Sequence, residues 1–462
     1  MTMNILEDTE TLGYTQEAPL TDRWTDIFRR DTMVHLGLMA SIAVATFQGY
    51  LKDRIGGPVP YALADLCFVG AVTLWFGSLA MRHAPIRGPG TVVTILLGII
   101  IIPIIYMLHP STPLVIELAG LRGWAEFPVA CLIALTTIKS RGQVRAYIGL
   151  VILLCAITAV YGIVQYMQGP SFILSAGPLA ATRHGTSINY YIEGTGQTDF
   201  RAFSTFTFPA PFAGMMVFGI LLATGIALSQ HRPPRLRILS GLLIPLMFVG
   251  MTVSGTRAAL ITLLVGLIVI GWLRRFSIAQ FLILPLLLAA FYVATMLTAG
   301  RILNRFATLF LQEGRLWTYI YAPLTIAGRA LQDNPFGNGL GRTGIGVPFG
   351  MILGRPKGYF IFSDGDIGRA AVEMGVIGLI LLLMIVIGLI PTAARTARRL
   401  VGTESEDLAF GIGALIISTG LLLIIGSPLS SAPHGTIWWL LLGALFKTMM
   451  LHDDAMAKPQ SG

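Results

Sequence analysis

The strongest constraint on this chain is its succession of apolar segments, each about as long as a membrane is thick. A helix needs about 20 apolar residues to cross the hydrocarbon core of a bilayer. Only 12% of the 462 residues are charged and 54% are apolar, whereas soluble domains contain about 25% charged residues. The sequence therefore predicts an all-α, polytopic membrane protein and excludes an ordinary soluble domain. The predicted spans number twelve, at 32–51, 61–81, 91–108, 121–138, 146–168, 209–229, 238–253, 258–273, 279–299, 371–391, 408–428 and 435–451.

Basic residues predict which side of the membrane each connection faces. Alternate short connections are all basic, and together with the two chain ends they hold 18 of the 32 Lys and Arg residues. Such connections stay in the cytoplasm, so we expect both termini to be cytoplasmic. Residues 1–31 and 452–462 are then tails, and 32–451 form the transmembrane domain. The polar first segment lacks the apolar core of a signal peptide, and the net charge of +9 follows topology rather than indicating nucleic acid.

Two of the predicted outer connections are long, 169–208 and 300–370, and the second precedes the tenth span. In the second, apolar residues recur at helical spacing, which predicts one or two amphipathic helices on the outer face. The Gly-rich stretch "NPFGNGLGRTGIGVPFG" follows. We interpret it as a structural turn, with a phosphate-binding nest as the alternative. The apolar residues that set the spacing are Leu316, Ile320, Leu324, Ala327 and Leu331.

The segment "TVSGTRAALITLL" (252–264) joins two apolar halves of about 16 residues each. At about 1.5 Å per residue each half spans about 24 Å, less than the ~30 Å core. The turn should therefore lie in a depression below the outer surface, with Arg257 at membrane depth. An ionisable residue there is a candidate functional residue. The alternative is a structural ion pair between Arg257 and Asp65 or Glu126.

Twelve of the 14 predicted outer basic residues are arginine, whose planar fork of donors suits phosphate oxygens. Arg201 precedes an aromatic run that opens a span, where it binds either the substrate or lipid headgroups. Arg315 begins the predicted surface helix, whose N-terminal amides also favour an anion. Its alternative role is an ion pair with Glu313. Arg122 enters the fourth span and joins this set.

The segment "FSDGDIGRAAVEMGVIGL" (362–379) places charged residues at the mouth of the tenth span. Asp364 is a candidate proton acceptor, and "DGD" is a weaker candidate for binding Mg²⁺ or Mn²⁺. We predict no metal and no cofactor. Arg369 is a substrate contact or the partner of Asp366 or Glu373. The carboxylate of Glu373 is a substrate contact or a structural hydrogen-bond partner of a neighbouring span.

Several short patterns, in order along about residues 32–450, resemble the O-antigen polymerase and O-antigen ligase family of bacterial membrane proteins. They are "GLRG" (120–123), "FRAFSTFTFP" (200–209), "SGTRAAL" (254–260) and "GRLW…NPFGNGLG" (314–341). Glu373 and Gly375 fit a further family pattern, but Asp364 occupies its His position and Gly365 its Asn position. Ligase-type members usually carry His there and many polymerase-type members carry Asp, so this departure favours polymerisation.

The resemblance implies a GT-C-like glycosyltransferase in the bacterial inner membrane. It would polymerise repeats carried on undecaprenyl diphosphate, transferring them to an acceptor glycan, with a chain-length regulator and a flippase as pathway partners. The alternatives are ligase-type transfer to lipid A core or protein, a transporter or flippase of lipid-linked glycan, and a structural subunit. By similarity, Arg257 and Arg315 engage the diphosphate. The predicted catalytic residues are Asp364, Arg257 and Arg315, and the predicted substrate-binding residues are Arg201, Arg122, Arg369 and Glu373.

Overall fold

The protein is described by a computed structural model. It covers residues 30–55, 59–82, 88–110, 112–175, 177, 180, 189–191, 198–275, 283–298, 300, 303, 315–343, 353–354, 359–361, 365–424 and 426–457. Within this part the chain is a helical bundle, and the expected all-α architecture holds apart from two short strands. Asp364 lies outside the described residues.

Helices account for all twelve predicted spans. In chain order they are α1 (Arg30–Thr46), α2 (Gln48–Arg54), α3 (Val59–Arg82), α4 (Gly90–Tyr106), α5 (Leu114–Leu121), α6 (Phe127–Thr137), α7 (Arg141–Gln168), α8 (Pro170–Leu174), α9 (Pro209–Leu228), α10 (Pro234–Val253), α11 (Arg257–Arg274), α12 (Ile283–Leu297), α13 (Arg315–Asp333), α14 (Asp366–Met384), α15 (Ile390–Leu400), α16 (Glu406–Leu421) and α17 (His434–Ala457). Short π-helical stretches, Arg122–Glu126 and Ile385–Leu389, join α5 to α6 and α14 to α15.

Seven helices of the described part are long and apolar enough to cross a membrane, or up to eight if the bent pair α1 and α2 forms one span. The bend in that pair is 60°. The chain is therefore a polytopic helical membrane protein. The remaining predicted spans are α4, α12, α16 and α17, which are helical but shorter or more polar, so a total of twelve spans stays a prediction. The seven are Ala62–Ala80, Leu114–Thr137, Arg141–Gln168, Pro209–Leu228, Pro234–Val253, Arg257–Arg274 and Asp366–Leu400.

The two halves around the "TVSGTR" turn are longer than the sequence indicated. Pro234 occupies the first turn of α10, where proline is favoured because its missing N–H has no helical partner. The basic residues after it therefore belong to the helix, and α10 has 20 residues and α11 has 18. At about 1.5 Å per residue α10 spans about 30 Å and α11 about 27 Å, so the expectation of a short half was wrong for α10, while α11 stays slightly shorter than the ~30 Å core.

The long predicted connection 169–208 is only partly loop. It begins with the short helix α8 and contains the antiparallel strands β1 (Asn189–Tyr191) and β2 (Thr198–Phe200), in which Tyr190 pairs with Asp199. This ribbon departs from the all-α expectation because its strands are only three residues long, too short for a period-2 pattern to be recognised in sequence.

Helix α9 is the most deeply buried of the candidate spans, with 78% of its apolar window inside the protein. It packs on α10, α11 and α16. Glycines allow this close packing, as is common between membrane helices. A Cβ atom on Gly225 would lie only 2.5 Å from the backbone nitrogen of Gly411 in α16.

The basic connections predicted to be cytoplasmic meet at one end of the bundle. Asp407, at the start of α16, is buried and accepts hydrogen bonds from Nε and Nη2 of Arg232, at 2.8 and 2.6 Å. Arg145 also pairs with Asp407, and Arg141 lies 2.5 Å from Glu404. Three predicted cytoplasmic segments are thus held together by shared carboxylates, as expected if they lie on the same side of the membrane.

The amphipathic helix expected before the tenth span is present as α13, with 19 residues. Its small residues Ala327 and Ala330 are buried against Ala371 and Val372 of α14. The apolar face predicted from the spacing therefore covers the start of the tenth span.

Candidate functional site

Arg201 is bound to the turn that carries Arg257. The Nε atom of Arg201 donates to the carbonyl oxygen of Ser254 at 2.7 Å, and its Nη2 donates to the Thr256 hydroxyl at 2.9 Å. The backbone N–H of Ala202 also donates to the Val253 carbonyl. Two arginines predicted from separate sequence patterns are therefore brought together, because the segment before α9 is fastened to the turn before α11.

A cavity of about 300 Å³ opens beside this turn. It lies between the first turns of α9 and α11 and the segment 422–434. Thr256 and Ala258, the neighbours of Arg257 on either side, both line it. A depression is therefore present beside this turn where helix ends converge, and its depth in the membrane stays a prediction. Its hydroxyl-bearing lining residues are Thr256, Thr262, Thr419, Ser427 and Ser431.

The same cavity reaches the mouth of the tenth span. Gly365, which follows Asp364 in the chain, lines the cavity and precedes α14 with a φ of 84°. A side chain there would also collide with the carbonyl oxygen of Ile424, so only glycine suits this position. The neighbours of two predicted catalytic residues, Arg257 and Asp364, thus border one cavity. Such a space, with hydroxyls in its wall and a guanidinium beside it, suits a polar or anionic group.

Arg369 and Glu373 form a buried ion pair behind this wall. Nε of Arg369 lies 3.0 Å from Oε2 of Glu373, with 4% and 0% of the two side chains exposed. Trp124 donates to the same oxygen at 2.7 Å, and the Thr343 hydroxyl donates to the other carboxylate oxygen. Arg369 also donates to the carbonyl oxygen of Gly120 at 3.0 Å. The geometry therefore favours the structural alternative for both residues.

Asp366 holds in place the segment 428–431, which forms part of the cavity wall. Its carboxylate accepts hydrogen bonds from the Ser430 hydroxyl at 2.6 Å and the Leu429 backbone N–H at 3.1 Å. These two residues lie between Pro428 and Ser431, both of which line the cavity. Asp366 and Glu373 were both candidate partners of Arg369. Glu373 forms the ion pair with Arg369, and Asp366 forms hydrogen bonds to the segment at 429–430.

Arg122 forms ion pairs with Asp65 and Glu126, the two acidic residues that the sequence offered as partners of Arg257. Its Nη2 lies 2.7 Å from Oδ1 of Asp65, and its Nε lies 3.7 Å from Oε2 of Glu126. The alternative role proposed for Arg257 is therefore not supported, because both acids face another arginine. The pairing of Arg122 also gives it a structural function at the π-helical stretch, and its contact with substrate stays a prediction.

Arg315 is the first residue of α13, as the sequence indicated. Its side chain lies outside the described part of the structure, so its role at the diphosphate stays a prediction. Arg329, the other arginine of α13, lies on the exposed face of the same helix.

The described part of the Gly-rich stretch, 334–343, is a structural turn. The backbone N–H groups of Asn338 and Gly339 donate to the carbonyls of Val372 and Glu373 at 2.8 and 3.1 Å. The N–H of Leu340 points to the Glu117 carboxylate at 3.4 Å. Amides used in this way do not cradle a phosphate, so the geometry favours the turn over the nest. Residues 344–350 lie outside the described part.

Arg342, one of the predicted outer arginines, follows this turn. Its guanidinium lies over the ring of Tyr359, 3.6 Å from the ring centre. Burial, followed by the positive charge of Arg342, lowers the pKa of His109 in the connection after α4. Arg342 is therefore a positively charged residue of the predicted outer connections that lies apart from the cavity lining.

His434 is the cavity residue that sequence reasoning missed. It begins α17, lines the cavity and is 4% exposed. The backbone carbonyl of Pro211, in the first turn of α9, faces its ring. A lone histidine at the start of an apolar run carries no motif, and its burial depends on contacts with α9. The only sequence signal was its position in the short connection before the last predicted span.

Comparison with protein-family models gives no match for this chain, and comparison with curated protein sequences gives none either. The function is therefore argued from the site and from the patterns in the sequence.

Proposed function

We propose that this membrane protein is a glycosyltransferase that polymerises oligosaccharide repeats carried on a polyprenyl diphosphate. The observation that supports this most is the shared border of one cavity. Residues on either side of Arg257, and the residue after Asp364, line the same space. Arg257 and Asp364 would supply the guanidinium and the carboxylate that transfer from a diphosphate to a hydroxyl requires.

The chemistry follows from the leaving group. The acceptor hydroxyl oxygen forms a bond to the anomeric carbon while the bond from that carbon to the diphosphate oxygen breaks. The diphosphate leaves with the bonding electrons, so negative charge grows on its oxygens. Arg257 and Arg315 stabilise this charge in a site drier than bulk water. A single displacement of this kind inverts the anomeric configuration.

Asp364 serves the acceptor side. It orients the acceptor hydroxyl or takes its proton as the new bond forms. Diphosphate is a good leaving group, so no general acid is needed to protonate it. Substitution of Arg257 therefore tests stabilisation of the leaving diphosphate, and substitution of Asp364 tests orientation or deprotonation of the acceptor hydroxyl.

Three of the four predicted substrate-binding residues, all but Arg122, support this site in a different way. Arg201 braces the turn that carries Arg257 through its bonds to Ser254 and Thr256. Arg369 and Glu373 support the wall formed by 428–431, because Nη1 of Arg369 also faces the Ser430 carbonyl at 3.4 Å. We therefore assign these three residues to positioning.

The location follows from the same proposal. The cavity lies at the end of the bundle opposite the Asp407 cluster, and the basic connections around that cluster are those predicted to be cytoplasmic. The site then faces outward from the bacterial inner membrane, where it extends exopolysaccharide or O-antigen. The prenyl chain stays in the bilayer while the polar head enters the cavity.

Purified protein in detergent, given a polyprenyl-diphosphate oligosaccharide, separates the candidate functions. Longer lipid-linked products support polymerisation. Transfer to lipid A core or to protein would instead show a ligase, which the resemblance also allows. No product, together with movement of the lipid-linked glycan between leaflets of liposomes, would show a flippase and refute the proposal.

A further inference from the structure

Arg398, in the last turn of α15, stacks on Trp272, in the last turn of α11. The central carbon of its guanidinium lies 3.6 Å from the centre of the indole ring, well within the range of a cation–π attraction. Gly413 of α16 lets the two helices meet, because a Cβ atom there would lie 2.8 Å from the Ala397 Cβ atom and 3.4 Å from the Leu273 side chain. Trp272 is 40% exposed and Arg398 is exposed as well. The stack of Arg398 on Trp272 therefore holds a guanidinium in a defined position on the surface of the bundle.

The hydrogen-bond donors of Arg398 are not used within the described part of the chain. Its side chain forms neither a hydrogen bond nor an ion pair with any described residue. The three carboxylates that follow α15 are engaged elsewhere: Glu404 pairs with Arg141, Glu406 accepts from the Ser229 hydroxyl and the Gln230 N–H, and Asp407 pairs with Arg232 and Arg145. Stacking occupies only the face of the guanidinium, so the donors along its edge stay available to a planar pair of oxygens.

The stack lies at the end of an apolar stripe on α11. Leu264 and Ile268 are both exposed, and with Trp272 they follow one another at intervals of four residues, which places them on one face of the helix. Because α11 is one of the candidate spans, this exposed apolar face meets lipid chains. Tryptophan is enriched where a membrane span reaches the headgroups. Trp272 therefore places the stack at the level of the lipid headgroups.

The helix that carries Arg398 gives the same level independently. The candidate span Asp366–Leu400 has a kink at Gly375, and Val376 and Ile387 after this kink are exposed apolar residues. At about 1.5 Å per residue the chain rises about 33 Å from Val376 to Arg398, close to the ~30 Å thickness of the hydrocarbon core. Arg398 is thus about one core thickness away from the other end of the lipid-facing surface.

A guanidinium held in this way suits the phosphate of a lipid headgroup. Arginine can bind two phosphate oxygens through parallel N–H groups, and basic sites between membrane helices on the cytoplasmic side bind anionic headgroups. The exposed Arg275 follows at the end of α11 and adds positive charge. A zwitterionic headgroup would bring its own cation next to these arginines, so an anionic phospholipid fits better.

We propose that the stack of Arg398 on Trp272 binds the phosphate of an anionic phospholipid, in the leaflet at the end of the bundle that is predicted to be cytoplasmic. The edge of the guanidinium donates hydrogen bonds to two phosphate oxygens, and the indole ring supports its face. The acyl chains lie along the exposed stripe of α11. This site is separate from the cavity and does not depend on the proposed function.

The test is equilibrium binding of phosphatidylglycerol to the full chain in neutral detergent, followed by native mass spectrometry. We compare the wild type with Arg398→Gln, which removes the charge, Arg398→Lys, which keeps the charge without the planar fork, and Trp272→Leu, which removes the ring. Arg395→Gln is the matched control, because Arg395 is exposed one turn earlier on the same helix and bonds to Pro391 and Thr392 of that helix. Phosphatidylcholine with the same chains and inorganic phosphate are the control ligands.

We expect Arg398→Gln to weaken binding of phosphatidylglycerol about tenfold or more, because charge-assisted hydrogen bonds are lost. Arg398→Lys should also bind more weakly, since an ammonium group cannot hold two oxygens in one plane. Trp272→Leu should weaken binding because the guanidinium loses its support. Arg395→Gln should bind phosphatidylglycerol as the wild type does, and the wild type should bind phosphatidylcholine and inorganic phosphate more weakly.

Equal losses in Arg398→Gln and Arg395→Gln would show a general response to surface charge and would overturn the site. Wild-type affinity in Arg398→Gln would do the same, as would equal binding of phosphatidylcholine. Inorganic phosphate bound as tightly as the lipid would show a site for free phosphate and overturn the lipid assignment. Wild-type affinity in Trp272→Leu would overturn the role given to the stack.

Discussion

Replacing Glu373 with leucine should destabilise the protein by about 3–5 kcal/mol, the typical cost of leaving one partner of a buried ion pair uncompensated. The reason is geometric. Arg369 is 4% exposed and, within the described part of the chain, would keep hydrogen bonds to the carbonyls of Gly120 and Ser430 and its position over the Trp124 ring, but no directly paired carboxylate. The donors of Trp124 and Thr343 would also lose their acceptor.

The double variant Arg369→Met/Glu373→Leu tests the pairing itself. Once the charge of Arg369 is gone, removing Glu373 leaves no buried charge behind. The double variant should therefore be more stable than Glu373→Leu, and its cost should fall well short of the summed cost of the two single variants, because residues in one network are not additive. Replacing a buried pair with apolar residues often costs little.

The free energy of unfolding is measured by titrating the purified protein from mild detergent into SDS, followed by tryptophan fluorescence. The matched control is the exposed pair Arg399–Asp453, whose nitrogen and oxygen lie 3.7 Å apart with 66% and 52% of the side chains exposed. Breaking that pair should cost no more than about 1 kcal/mol. If Glu373→Leu unfolds like the wild type but loses affinity for lipid-linked glycan, Glu373 contacts substrate and the structural interpretation is wrong.

Three further predictions follow from other parts of the chain. Gly375→Ala should destabilise the protein by at least about 1–2 kcal/mol, because the φ of Gly375 is 59° and a Cβ atom would collide with the Pro335 carbonyl. The control in the same unfolding assay is Gly70→Ala, since a Cβ atom on Gly70 would meet nothing within 4 Å. Asp407→Asn should lower stability by weakening the bonds from Arg232, while polymerisation by the folded fraction stays unchanged. Asp364→Asn should slow polymerisation about 10²–10⁴-fold, and full activity would exclude proton transfer to Asp364.

The helices were largely predictable because the signal for them is local. A run of about 20 apolar residues predicts a helix wherever it occurs in a membrane protein, and all twelve predicted segments are helical. The spacing of apolar residues likewise predicted α13. Helix ends were less predictable, and the basic turn after Pro234 shows why, since charge suggested a connection where proline begins a helix.

The pairing of charged side chains was predictable only at short range. Arg369 and Glu373 stand four residues apart, so one helical turn brings them together and their pairing was among the alternatives. Arg122 and Asp65 are far apart in sequence. Nothing local shows that Asp65 pairs with Arg122 instead of Arg257, because the choice depends on how α3 packs beside the π-helical stretch.

The sequence predicted a depression beside Arg257, but it did not predict which residues line the cavity found there. Arg201 and Arg257 were recognised from their positions at the start of spans, and their contact through Thr256 depends on the fold. His434 was missed because burial, not any motif, makes it notable. The shared border of the cavity likewise arises from three segments that are distant in the chain.

The initial rate of polymer formation by Arg257→Ala tests the central claim most directly. Purified wild type and variant receive the same polyprenyl-diphosphate oligosaccharide, with Arg315→Ala measured beside them. Arg395→Ala is the control, since Arg395 lies on the exposed face of α15 and its hydrogen bonds to described residues stay within that helix. We predict rates about 10²–10³-fold lower for Arg257→Ala and a normal rate for the control. Normal polymer yield and chain length in both Arg257→Ala and Arg315→Ala would contradict the proposed mechanism.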